Sequence, residues 1–242
     1  MPLYKEQGIV LRSVKLGEAD KIVTILTQGS GKVRTVAKGI RRTQSKFGAR
    51  LEPFTHVSLL MYRGRNLDTV TQAEIVSPFV AIRRDLSLIA AGETMLEAAD
   101  KVAEEHERNV RLFMLVLTGL RALETRPRDP AAVAEGYLLK LLSLSGFHPS
   151  LSACAVCGSP GPHELFAAGQ GGVVCSSCGT GEAGTVSLPA IRWLDGLARV
   201  DLAGAGDMTP DPMVRREARA MLYGFTEYYL ERRMRSFALL AR

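Results

Sequence analysis

Cys154-x₂-Cys157 and Cys175-x₂-Cys178 are the only cysteines in 242 residues, and seventeen residues separate the two pairs. That is the spacing of a Cys₄ zinc site. A two-residue gap lets each pair present both thiolates from one turn, and two such turns facing each other complete a tetrahedron. Gly158 and Gly179 follow the second cysteine of each pair, where a tight turn favours permissive backbone. Residues 150–186 are therefore expected to form a module around one zinc ion. The ion is expected to be structural, because four thiolates leave no coordination position open for water. His148 and His163 lie nearby and read as ordinary loop histidines.

The compartment agrees with metal rather than disulfide. The N-terminus has no basic start followed by a long apolar stretch, and the longest apolar run, Leu112 to Leu117, is far below the roughly 18 residues of a membrane span. A cytoplasmic, nucleoid-associated location is the expectation, with no membrane partner. Cysteines there are kept reduced.

Charge is divided unevenly. Residues 1–80 carry thirteen Lys/Arg and six Asp/Glu, giving +7, whereas residues 81–242 carry eighteen and nineteen, giving −1. Nine basic side chains lie between Lys32 and Arg65 against the single acid Glu52. A single-sign cluster of this density points to a polyanionic partner; the ordinary alternative is a solvated face that keeps the chain soluble.

The same N-terminal third reads as β. Apolar, β-branched segments cover 8–14, 21–27, 54–62 and 67–76, and Lys32-Val-Arg-Thr-Val-Ala-Lys38 alternates almost strictly. Five short strands in about 75 residues suit an OB-type barrel. After Pro78 the period becomes helical, with segments near 86–103, 111–123, 131–144, 188–200 and 213–235. The breaker Arg126-Pro-Arg-Asp-Pro130 separates two of them. The expected fold is α+β and multidomain: an OB-fold barrel (1–78), then an α-helical domain (79–149 and 187–242) carrying the inserted Cys₄ module (150–186).

Catalytic patterns are lacking. Gly29-Ser-Gly-Lys-Val33 ends like a phosphate-binding loop, but Leu26 stands where its first glycine belongs and Val33 where Ser/Thr should follow the lysine. It reads as a hairpin turn. No Gly-x-Ser-x-Gly elbow occurs, and His56 reads as a packed or surface residue of a strand. The expectation is a binding protein, not an enzyme.

Several segments carry a family resemblance: Gly8-Ile-Val-Leu-Arg, Gly17-Glu-Ala-Asp-Lys-Ile-Val-Thr, Gly31-Lys-Val-Arg-Thr-Val-Ala-Lys-Gly39, Lys46-Phe-Gly-Ala-Arg-Leu-Glu-Pro-Phe54 and Tyr62-Arg-Gly-Arg. With Tyr137-Leu-Leu-Lys-Leu-Leu and Gly146-Phe leading into Cys154, the chain resembles the bacterial recombination protein O (RecO) family over nearly its whole length. The resemblance implies a factor of RecF-pathway DNA repair that binds single- and double-stranded DNA and anneals complementary strands. It also implies partners: RecR, RecA loaded onto DNA covered by single-strand-binding protein, the acidic C-terminal tail of that protein, and RecF. Arg121 or Lys140 are candidates for holding the tail.

A barrel that binds single strands without sequence preference needs a cationic groove and π-faces on which bases stack. Arg34, Lys38, Arg41, Arg42, Lys46 and Arg50, from strand three and its following loop, are the candidate lining, with Arg63 and Arg65 closing it. Phe47 is the first stacking candidate and Tyr62 the second. The alternative for Phe47 is a loop anchor that plugs the barrel. Two other functions fit the same features: an OB-fold and zinc RNA-binding factor in translation or transcription, and an assembly module whose helical domain does the work.

Overall fold

The computed structural model describes residues 3–45 and 47–240. Five strands, β1 (Leu3–Leu16), β2 (Asp20–Thr27), β3 (Gly31–Ala37), β4 (His56–Tyr62) and β5 (Asp68–Ser77), close into a barrel in the order β1-β2-β3-β5-β4. The chain is α+β: an N-terminal OB-type barrel, then helices, with the cysteine cluster between them. β1 pairs with β4 through its first half and with β2 through its second, a bulge at Leu11 turning the strand between them. Closure depends on a short parallel contact, Thr35↔Asp68 and Val36↔Thr69. The alternation of strand three is realised as read: Val33, Thr35 and Ala37 are buried inside, while Arg34 and Lys38 are exposed outside. β4 starts two residues later than the sequence pattern suggests. Phe54 takes a left-handed backbone (φ 71°), which a strand cannot contain.

Helices α1 (Leu86–Val102), α2 (Val110–Glu124) and α3 (Pro130–Leu144) form a three-helix layer. The Arg126–Pro130 breaker is the α2–α3 junction: Asp129 caps α3 through the Ala132 N–H and Pro130 occupies its first turn. Three short strands, β6 (Leu165–Ala167), β7 (Gly172–Val174) and β8 (Gly184–Thr185), make a small sheet ordered β7-β6-β8 beside the cysteines. Then come α4 (Leu188–Arg199), α5 (Leu202–Ala205), α6 (Pro212–Leu230) and α7 (Phe237–Leu240). The last long helix stops at Leu230, not Arg235. Glu231 turns left-handed (φ 50°), and Glu227 and Glu97 capture the N–H groups of Met234, Arg235 and Ser236.

Two apolar cores divide the work. One fills the barrel, around Val10, Ile25, Phe47, Leu51 and Met61. The other is shared: Ile9, Leu11, Leu26 and Phe54, on the barrel's outer side, merge with the helical core. Close approach there needs Gly92, because a Cβ at that position would meet the Phe54 ring at 2.7 Å. Further along, the buried Glu135 of α3 accepts from Arg219 at 2.7 Å and from the Trp193 indole at 3.3 Å, while Arg215 forks onto Asp129. The two ion pairs hold α6 against α3, and the indole hydrogen bond holds α4 there. Among the described residues no helix is long and apolar enough to cross a membrane.

Candidate nucleic-acid interface and metal centre

Among the described residues the basic side chains fall into two groups, one toward each end of β3. Arg34, Arg63 and Arg65 meet in a cleft of about 510 Å³ beside the Gly29–Ser30 turn. Parallel pairing of β5 with β3 brings the β4–β5 turn back to that end. The cleft is partly neutralised. Arg34 lies 3.8 Å from Glu105, and the Arg63 guanidinium sits 5.0 Å over the Tyr4 ring, whose hydroxyl is hydrogen-bonded to the buried Asp68.

Residues 104–107 supply the Glu105 part of that neutralisation. They run beside the open edge of β3, where the Lys32 N–H donates to Glu104 O and the His106 N–H to Lys32 O. Lys32 also donates to the Asp100 carbonyl at 2.6 Å. Gly31 permits this, since its backbone is left-handed (φ 69°) and a Cβ would overlap Glu107. The strand's first basic residues therefore face acids of the helical domain.

At the other end lie Lys38, Arg41 and Arg42, all exposed. Their loop is docked on the β1–β2 turn: the Gly39 N–H donates to Asp20 at 2.7 Å, the Arg41 N–H to Ala19 O at 2.9 Å and the Arg41 guanidinium to Gly17 O at 3.0 Å. Arg50 is half-buried in the following 3₁₀ turn and donates to Phe47 O. Lys46 lies outside the described residues. Lys15 joins this end, exposed and directly opposite Lys21 across β1 and β2. It lies outside the dense Lys32–Arg65 run, and strand register brings it to this end, which spacing along one segment cannot show.

Phe47 requires a correction. Its ring is 1% exposed inside the barrel core and has no face to offer a base. The loop-anchor alternative is the one the packing takes, since a small closed barrel is filled by side chains where the long connection crosses its mouth. Tyr62, 39% exposed next to Arg63, remains accessible. Lys140 is also committed elsewhere: its ammonium donates to the Leu197, Ala198 and Val200 carbonyls, closing the C-terminal end of α4. Arg121 remains exposed.

The cysteines converge. Ligand atoms of Cys154, Cys157, Cys175 and Cys178 all lie within 4.8 Å of one another, with Cys157 and Cys175 sulfurs 3.9 Å apart. Tetrahedral ligation at about 2.3 Å implies sulfurs about 3.8 Å apart. Each pair sits on a tight turn, Gly158 N–H to Cys154 O and Gly179 N–H to Cys175 O, both near 3.0 Å. Gly158 needs its left-handed backbone (φ 72°). Backbone N–H groups, those of Cys157 and Cys175 foremost, draw the Cys154 thiol down to about 6. Hydrogen bonding to the neighbouring sulfurs, Cys175 first, pushes Cys178 up to about 12. A divalent cation at the centre relieves that conflict, so the donor set fits a metal. Neither nearby histidine takes part: His148 contacts Ser143, and His163 contacts Ser159.

Two family models match the chain, the recombination protein O N-terminal region over residues 1–79 and its C-terminal region over residues 83–238. Along its full length the chain is similar to the DNA repair protein RecO of Frankia casuarinae, 45% identical over 244 residues and covering 100% of both chains. The DNA repair protein RecO of a Nocardioides species is 43% identical over 248 residues, covering 99% of this chain and 100% of the relative. That of Thermobifida fusca is 41% identical over 244 residues and again covers both completely.

Proposed function

The chain belongs to the RecO family of DNA repair proteins, and we propose that it serves there as a DNA-binding recombination mediator. In this reading it binds single- and double-stranded DNA, anneals complementary strands and, with RecR, helps load RecA onto DNA covered by single-strand-binding protein. The observation that carries the reading is the exposed Lys38, Arg41 and Arg42 at one end of an OB-type barrel, none of them ion-paired among the described residues. Annealing needs no catalytic group. Cations that neutralise phosphates on two strands lower their repulsion and raise their local concentration. Mobile, salt-sensitive contacts serve this better than base readout.

The Arg34, Arg63 and Arg65 cleft, with Tyr62 as stacking platform, is a second contact of the same surface. The acids beside it make it the weaker one. One zinc ion, held by the four cysteines, fixes the small sheet against α6 and supplies folding free energy there.

A strand-annealing assay tests the reading, with and without single-strand-binding protein. Reversing charge in Arg41→Glu/Arg42→Glu should cut single-strand affinity about tenfold or more and flatten its salt dependence, with the fold intact by circular dichroism. Unchanged binding would move the site off this end of the barrel. Tighter binding to a matched RNA would favour the RNA-binding alternative, because 2′-OH contacts discriminate the two.

A further inference from the structure

A second cationic surface lies on the helical domain, where the linker leaves the barrel. The linker passes through a short 3₁₀ turn, Ile82–Arg84, and its two arginines serve different ends. Arg83 is structural: it donates to the Pro78 and Pro53 carbonyls and to the Thr55 hydroxyl at 2.5–2.7 Å. Pro53 closes the long loop that bears Lys38 to Arg50, so Arg83 ties the linker to that loop. Arg84 is exposed and lines a cleft of about 300 Å³ together with Arg126, Arg128 and Asp85.

Arg126 and Arg128 come from the α2–α3 junction, whose sequence signals only a helix break. The guanidinium groups of Arg84, Arg126 and Arg128 make no hydrogen bond or ion pair among the described residues. Asp85, the acid among them, is engaged as the N-cap of α1, accepting from the Ser87 and Leu88 N–H groups and the Ser87 hydroxyl. Those bonds, Ser87 first, hold its carboxyl below the usual range. The cleft thus sets three guanidinium groups without hydrogen-bond partners, Arg126 among them also lending its charge to Asp85, against one occupied carboxylate at the positive end of a 17-residue helix. Planar guanidinium groups converging on a small polar cleft suit phosphate oxygens.

We propose that this cleft holds a backbone phosphate of the same DNA strand that crosses the Lys38–Arg42 end of the barrel. The nucleic-acid path then continues over the Arg83 tie onto the helical domain. This rests on the DNA-binding reading above, and strand length separates the two. An oligonucleotide of about 10 nucleotides fills a barrel site, whereas one of about 40 spans both surfaces.

The test is affinity of the full chain for both lengths across a salt series, for wild type, Arg84→Glu/Arg128→Glu and Arg84→Lys/Arg128→Lys. Arg126 is left alone because its backbone is left-handed (φ 56°) and substitution there acts on the turn itself. The charge reversal should leave the short strand within about twofold, weaken the long strand about tenfold and lower its salt slope by about 0.7. The lysine variant should restore most of the loss. Equal affinity of both variants for the long strand overturns the proposal, and so does an equal loss at both lengths. A loss confined to a polyglutamate peptide, with DNA unaffected, overturns it too and makes the cleft an acidic-peptide site. Failure of the barrel reading looks different: Arg41→Glu/Arg42→Glu would then leave the short strand unaffected.

Discussion

His56 lies at the seam between barrel and helices, 4% exposed, edge-on to Phe113 at 5.8 Å, with both ring nitrogens lacking a hydrogen-bond partner. Burial, and then the Arg121 charge, hold its pKa below the ordinary 6.5. A depressed folded-state pKa means that the unfolded chain binds the proton first as pH falls. The stability contributed by neutral His56 is therefore present above about 6.5 and lost as pH drops below it, toward the folded-state pKa. Melting temperatures between pH 5 and 7.5 should show this acid-side loss in wild type and a smaller one in His56→Leu; parallel curves would refute it. The aromatic pair Phe47 and Tyr62 is separable in the same way. Phe47→Ala empties a barrel core and should cost about 3–5 kcal/mol in urea unfolding. Tyr62→Ala should leave stability within about 0.5 kcal/mol and weaken single-strand binding. A stable Phe47→Ala protein with poor DNA binding would restore the stacking role.

Among the elements, strand three and the cysteine module show how far local pattern reaches. Alternation along β3 settles which side chains face the barrel interior, since period two leaves no other arrangement. What covers its outer face comes from far along the chain, where Glu104, Glu105 and His106 meet Lys32 and Arg34. Spacing likewise settles the four sulfurs, because two tight turns already define a ligand cage. The module should release one zinc per chain when a thiol reagent is titrated in, measured with a chromogenic chelator, and should lose protease protection over residues 150–186. Less than about one zinc per chain after chelator-free purification would contradict that. The α6 terminus was beyond reach of periodicity: the apolar stripe runs on, but Glu97 of α1 and Glu227 capture the chain after Leu230.

For the whole molecule, the shared core is the consequential feature. Ile9, Leu11, Leu26 and Phe54 pack into the helical core, and Arg12 and Lys32 meet Asp100 of α1. Separating barrel from helices would expose those apolar groups and strip Arg83 of its three acceptors. The two parts should therefore unfold as one unit. Fluorescence of Trp193, the single tryptophan and a helical-core probe, should superimpose on far-ultraviolet circular dichroism in denaturant. Two offset transitions would show that the barrel unfolds alone. A rigid seam also makes a continuous DNA path across both parts physically reasonable, because the Pro53–Arg83 tie keeps the two cationic surfaces in register.

Local chemistry in the sequence determined the barrel-then-helix order, the inward faces of the strands, the convergence of the four cysteines and the concentration of charge in the first third. These depend on periodicity and short spacing, which act within a few residues. Tertiary structure decided the rest: which cations are free, which are matched by acids from α1 and its following loop, and that Phe47 plugs the barrel. Pairing between distant segments, through β3–β5 register and the Gly31 and Gly92 approaches, places a charge beside its partner or in open solvent. No reading along one stretch of chain contains that information.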